Sequence, residues 1–292
     1  MPKEKQKPAS GEKKEVKKSP ESAESAKGAS ELVGKLKKKV EITEGTRKAI
    51  PEIKIKKGNY RKVPKPNCGY KEVVAEKDFP KIELADKYTD VGRAQRALRF
   101  KNITDAVEKR YKIPSGILLG MIMQESMGDP TLPNLSGDGG LGLIHMQPLM
   151  ATRYGLNLIT PSTALIDREQ GREILKAKCN AKGGLKELVG CDDRFHPIIN
   201  VDAAARMLCD SFGSKGWWGT LHRYAGRSEY PAQIMRYRAL IDNDSFIKKV
   251  EKDFVRRNIT VKFSDYLAGS RQNMINYGLD TYKKLPSFAQ LK

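Results

Sequence analysis

One acidic residue closes a run that is otherwise apolar: Ile117, Leu118, Leu119, Met121, Ile122 and Met123 lead to Gln124 and then Glu125. A carboxylic acid in such surroundings loses hydration of its ionised form and holds its proton toward neutral pH, as a general acid must. Shortly after it, Ser136-Gly137-Asp138-Gly139-Gly140-Leu141-Gly142-Leu143-Ile144-His145-Met146-Gln147-Pro148 is dense in glycine. Closely spaced glycines let backbone amides approach a ligand and turn the chain back on itself. Each feature alone is weak, because a helix-end Glu ordinarily points into solvent. Asp129 and Asp138, beside glycines, are more often turn formers than a second carboxylate.

The elements that must position these residues read as helices. Ile103, Ala106, Val107 and Tyr111 follow the spacing of an amphipathic helix, with Asn102 or Thr104 available to cap it. Pro114 then places a second helix over Ile117 to Gln124, apolar on nearly all sides and therefore buried. Gly128 to Gly142 is loop, and further helices are expected at Gln147 to Tyr154, Asp167 to Cys179, Val201 to Phe212, Gly219 to Tyr224, Pro231 to Asp242 and Ser245 to Arg256. Alternating strands are nearly absent, so the fold class is mainly α. The organisation expected is a disordered Lys-rich arm over 1–65 and an extended arm over 66–100 with a short strand around Ile82. A helical domain over 101–243 and a C-terminal helical extension over 244–292 follow.

The 292 residues carry a formal charge of +20, and residues 1–65 hold 20 Lys and Arg against 9 Asp and Glu. Such a charge draws anionic partners: a wall polymer, a membrane surface or nucleic acid bound without specificity. The arm lacks the interleaved aromatics of a nucleic-acid site. No stretch approaches the roughly 18 to 20 apolar residues of a membrane span, and no secretory signal is visible. Cys68, Cys179, Cys191 and Cys209 lack metal-ligand spacing, and no cofactor or metal is expected. Cys179 and Cys191 either close a small disulfide loop or remain thiols. His145 and His196 read as polar contacts, and Trp217-Trp218 either stacks on sugar rings or anchors a core corner.

Gln124-Glu125-Ser126-Met127-Gly128-Asp129-Pro130 resembles the Glu-Ser motif that ends the catalytic helix of the lytic transglycosylases and goose-type lysozymes. The glycine-rich segment is similar to their second motif, where a Ser, a glycine turn and Gly-Leu-Met-Gln line the sugar groove. Asn200 to Leu208 resembles the Asn-led helix that follows, and Tyr224-Ala225-Gly226-Arg227 the Ala-Tyr-Asn-Ala-Gly-Pro segment, with Tyr230 where a further Tyr is usual. His145 stands where the family has Gln, Gln147 lies two positions later, and the third motif lacks its Asn.

The resemblance implies a lysozyme-like helical domain with a groove, acting on peptidoglycan strands in the periplasm or cell wall. Glu125 would protonate the oxygen of the β-1,4 bond between N-acetylmuramic acid and N-acetylglucosamine. The substrate's acetamido group would stabilise the cation, and attack by the C6 hydroxyl would leave a 1,6-anhydro end; attack by water would make the enzyme a lysozyme. Ser126, Ser136, Gly142, Leu143, His145, Gln147, Tyr224 and Tyr230 would contact substrate. A wall-binding scaffold that keeps the fold without activity is the remaining alternative.

Overall fold

The computed structural model describes residues 53–68, 83–134, 136–159, 173, 185–257, 262–268 and 278–288. Residues 1–52, the expected helix at 167–179, the strand at Ile82 and the Cys179–Cys191 pairing lie outside the described residues. Among those described, regular structure is helical, and the one β-bridge joins Leu141 to Met146.

The central element is the apolar helix α3 (Ile117–Glu125), which follows α1 (Asp90–Leu98) and α2 (Lys101–Tyr111). Ile117 through Met123 are all buried, and each large side chain stabilises the fold by about 1.5–3 kcal/mol through removal from water. α3 packs chiefly against α8 (Tyr230–Ile241). The crossing is close because Gly120 has no side chain: a Cβ there would sit 3.0 Å from the Ile234 carbonyl oxygen.

Pro114 stands just ahead of the first turn of α3, its carbonyl accepting from the Ile117 amide at 3.3 Å. The helix begins after Gly116, which takes a left-handed conformation and offers no side-chain cap. Glu108 of α2 substitutes for the cap, its carboxylate accepting from the Gly116 amide at 2.9 Å and the Leu118 amide at 2.7 Å. Its burial pushes the Glu108 carboxyl up to about 8, against the pull of those two bonds. Asn102 and Thr104 do not cap α2, which starts at Lys101 behind Phe100 with no side-chain cap.

α1 corrects the expectation of an extended arm over 66–100. It is capped by Thr89, whose hydroxyl oxygen accepts from the Gly92 amide at 3.0 Å. Its buried face is Gly92, Ala94, Gln95, Ala97 and Leu98, of which Leu98 is the one large apolar side chain. The end of the basic arm is also corrected: Ile55, Tyr60 and Val63 are buried. Tyr60 stacks on Phe288 at 4.0 Å, and its amide donates to Asp210 at 2.9 Å, so residues 53–65 form a strap across the domain.

The remaining helices complete the wall around α3: α4 (Pro148–Arg153), α5 (Leu185–Cys191), α6 (Pro197–Asp210), α7 (Gly216–Ala225) and α9 (Asp244–Arg257), then α10 (Phe263–Ala268) and α11 (Leu279–Lys283). α6 carries a buried polar node. Asp202 accepts from the Tyr111 and Tyr282 hydroxyls, both at 2.8 Å, and pairs with Arg206 at 2.9 Å. Arg206 also donates to the Val63 carbonyl at 2.8 Å, so one node ties the strap, α2, α6 and α11 together. The core therefore crosses the limits expected at 101 and 243: Val250 and Phe254 of α9 are fully buried, with Phe263 and Tyr266 packed on Phe254.

Candidate active site

Glu125 ends α3 and opens onto a cleft of about 640 Å³. The cleft is also lined by Asn134, Ser136, Asp138, His145 and Gln147 from the glycine-rich segment, and by Tyr224 and Arg227. Arg93 of α1 and Arg99, just after it, hold this end of α3. Arg93 donates to the Met123 carbonyl at 3.0 Å and to the Tyr237 hydroxyl at 2.8 Å, and Arg99 donates to the Gly128 carbonyl at 2.9 Å. These cations meet the free carbonyls that a helix C-terminus presents.

Two side chains reach the carboxylate. The Tyr230 hydroxyl, at the start of α8, donates to Oε1 at 2.6 Å, and His145 Nδ1 lies 3.5 Å from Oε2. Both carboxylate partners are well enclosed: the His145 side chain is 6% exposed and Tyr230 only 1%. Burial, followed by the charge of Glu125, pushes the Tyr230 hydroxyl well above the usual phenol range, so it stays a proton donor. Tyr224 leans on Tyr230 with ring centroids 5.6 Å apart, and it is Tyr230, not Tyr224, that touches Glu125.

The segment carrying His145 is shaped from beneath. Leu141 and Met146 exchange backbone hydrogen bonds at 3.2 and 3.0 Å, closing a tight turn that presents His145. Asn200 of α6 accepts from the Ile144 amide at 2.8 Å and donates to the Leu141 carbonyl at 3.1 Å. Arg194, fully buried and paired with Asp192 at 2.8 Å, donates to the Gly139 carbonyl at 2.9 Å. Gly142 lies flat on this support at φ +84°, where a Cβ would meet the Arg194 carbonyl oxygen at 2.1 Å and Asn200 Nδ2 at 2.3 Å. Sequence reasoning missed Asp192 and Arg194, because nothing local distinguishes a buried ion pair from surface charge.

Three expected substrate contacts are thereby corrected. Gly142 is a packing position, Leu143 is fully buried in the core, and Ser126 is fully buried with its hydroxyl donating to the Ile122 carbonyl at 3.3 Å. Ser136, His145, Gln147 and Tyr224 line the cleft, while Tyr230 lies behind Glu125. Gln147 donates to Asp138 at 3.1 Å; Asp138 also accepts from Asn134 and from the Gly140 amide, both at 2.9 Å. Trp217 and Trp218 wall a different cavity, and the buried Trp217 anchors a core corner, its indole donating to the Ile53 carbonyl at 3.2 Å. Among the described residues no group of three or more His, Cys, Asp or Glu could hold a metal ion.

The fold is mainly helical, and a carboxylic acid at the end of a buried helix faces a glycine-rich wall across a cleft. Residues 102–230 match the family model described as the transglycosylase SLT domain, and the match runs from α2 to Tyr230. Over that segment, less than half of the chain, the protein is similar to the transglycosylase SLT domain, a likeness consistent with the lytic transglycosylase, lysozyme-like superfamily, whose activity at family level is lytic cleavage of peptidoglycan. No curated protein and no solved structure matches the chain.

Proposed function

We propose that the protein cleaves the β-1,4 bond between N-acetylmuramic acid and N-acetylglucosamine in peptidoglycan without water, leaving 1,6-anhydro ends, with Glu125 as acid and then base. The observation that carries the reading is the Glu125 carboxyl, open to the cleft on one side and held by Tyr230 behind. In the first step Glu125 gives its proton to the bridging oxygen. That oxygen takes the electron pair of the breaking C1–O bond while the acetamido oxygen bonds to C1. In the second, the C6 oxygen bonds to C1, the acetamido bond opens, and the C6 hydroxyl proton returns to Glu125.

This route dispenses with the second carboxylate of the two-carboxylate scheme. Asp138 is the other carboxylate of this wall, and its oxygens already accept from Asn134, Gln147 and Gly140, which suits a loop organiser. A lysozyme-type hydrolase in which Glu125 activates water is the second reading, favoured by Asp138 facing the same cleft. Ser136, with its hydroxyl unengaged among the described residues, and Tyr224 would orient the glycan. The site of action would be the periplasm or cell wall, and among the described residues no helix is long and apolar enough to cross a membrane. The basic residues of 1–65 would add attraction to anionic wall polymer or membrane surface.

The test is digestion of purified peptidoglycan by the wild type and Glu125→Gln, with fragments weighed by mass spectrometry. General acid–base catalysis contributes about 10²–10⁴-fold, so release by the variant falls by at least about 100-fold. Anhydro ends support the lyase and reducing ends the hydrolase. Equal release by both proteins refutes the assignment, and retention on insoluble peptidoglycan without release by either protein points to a scaffold.

A further inference from the structure

His145 stands where the resembled motif has Gln, and its geometry gives it a capacity that an amide lacks. Its Nε2 lies 3.0 Å from the Leu132 carbonyl oxygen. A carbonyl only accepts, so this bond requires the proton on Nε2 and leaves Nδ1, in the neutral ring, as an acceptor 3.5 Å from Glu125 Oε2. Both side chains are largely withdrawn from water, at 6% and 13% exposed. Such contacts are often long without substrate and tighten when it binds.

We propose that Glu125 and His145 form a one-proton pair, in which His145 holds the catalytic proton for Glu125 and thereby sets the upper pH limit of the acid step. The inference rests on the reading of Glu125 as the acid and base. One proton lies between Oε2 and Nδ1, on either side: acid beside neutral imidazole, or carboxylate beside imidazolium. With substrate in place it moves to Oε2 and then to the bridging oxygen. The proton released by the C6 hydroxyl returns to Oε2, and the imidazole ends as it began, still donating from Nε2 to Leu132.

The groups that surround the pair do not take over this role. Tyr230 of α8 only donates to Oε1, which favours the carboxylate, and burial holds its hydroxyl and that of Tyr224 of α7 well above the usual phenol range. Arg227 lies over the Tyr230 ring at 6.0 Å and is a cation throughout. Asp138 and Asn134 on the glycine-rich wall are engaged with each other at 2.9 Å. Among the described residues around the carboxylate, the imidazole is therefore the neighbour whose free ring nitrogen can take a proton from Oε2 and return it.

The experiment compares kcat/KM against pH for the wild type, His145→Gln and His145→Ala on purified peptidoglycan, with thermal melts to establish that each variant is folded. His145→Gln loses least activity at acid pH. Its alkaline limb moves down by about one pH unit, a roughly tenfold loss at a fixed pH on that limb. His145→Ala shows the same displaced limb. Independently of activity, the imidazole NMR titration of His145 moves to lower pH in Glu125→Gln, because the carboxylate that stabilises the imidazolium is gone. A uniform loss at every pH with an unmoved limb, or an NMR titration indifferent to Glu125→Gln, overturns the pair. An active Glu125→Gln would instead overturn the reading beneath it.

Discussion

The hydrogen bond from Tyr230 to Glu125 offers a sharp test of how the site works, through Tyr230→Phe. The ring is 1% exposed and packed between α3 and α8, so phenylalanine fills the same space and removes only the hydroxyl. Its bond to Oε1 at 2.6 Å is short and, once Glu125 has given up its proton, charge-assisted. Hydrogen bonds to charged groups contribute about 1.5–3 kcal/mol, or roughly 10-fold to 100-fold in rate if felt only in the ionised state. Because Glu125 ionises as the glycosidic bond breaks, that factor appears in kcat, with KM little changed. The stability cost is about 1–3 kcal/mol, because Oε1 loses its partner on the enclosed side of the carboxyl. Initial rates of soluble fragment release from purified peptidoglycan across pH, beside a thermal melt, make the measurement. Activity within twofold of wild type at every pH would show that Tyr230 neither positions nor stabilises the carboxylate.

Two further outcomes concern the frame of the site. Glu108, raised to about 8 in the folded protein from an ordinary 4.5, keeps its proton when folded at pH values where the unfolded chain has lost it. Stability from this group therefore falls as pH rises between those two values, and Glu108→Gln should flatten the decline of Tm across that window; an unchanged slope would refute the account. Gly142→Ala forces a side chain into a left-handed position against Arg194 and Asn200 and should cost at least about 2 kcal/mol in denaturant melts, with activity lost as the His145 turn shifts. A variant as stable as the wild type would show that the turn is free to move.

The apolar run from Ile117 to Met123 could be read as a buried helix ending at Glu125 because helix burial leaves a pattern in neighbouring residues. The glycine-rich loop was legible for the same reason. α1 was not, since Gly92, Ala94 and Ala97 pack closely without the large apolar side chains that mark a helix face. The 53–65 strap reads in the sequence as the end of the Lys-rich arm, because Ile55, Tyr60 and Val63, which the fold buries, are spread among lysines. Ser126 and Leu143 stand within or beside the motifs but face inward, because a motif records spacing along the chain and not the direction in which each side chain points.

By itself, then, the sequence determined the mainly helical class, the acid at the end of a buried helix and the glycine-rich wall opposite, all features of local periodicity. The tertiary structure decided what meets the acid. Tyr230 reaches Glu125 across 105 residues only because α8 crosses α3 at Gly120, and His145 faces it only because Asn200 and the buried Arg194–Asp192 pair hold its turn from below. Hydrogen bonds act over a few ångströms in space, so partners distant in the chain have no local signal until the helices that carry them have packed.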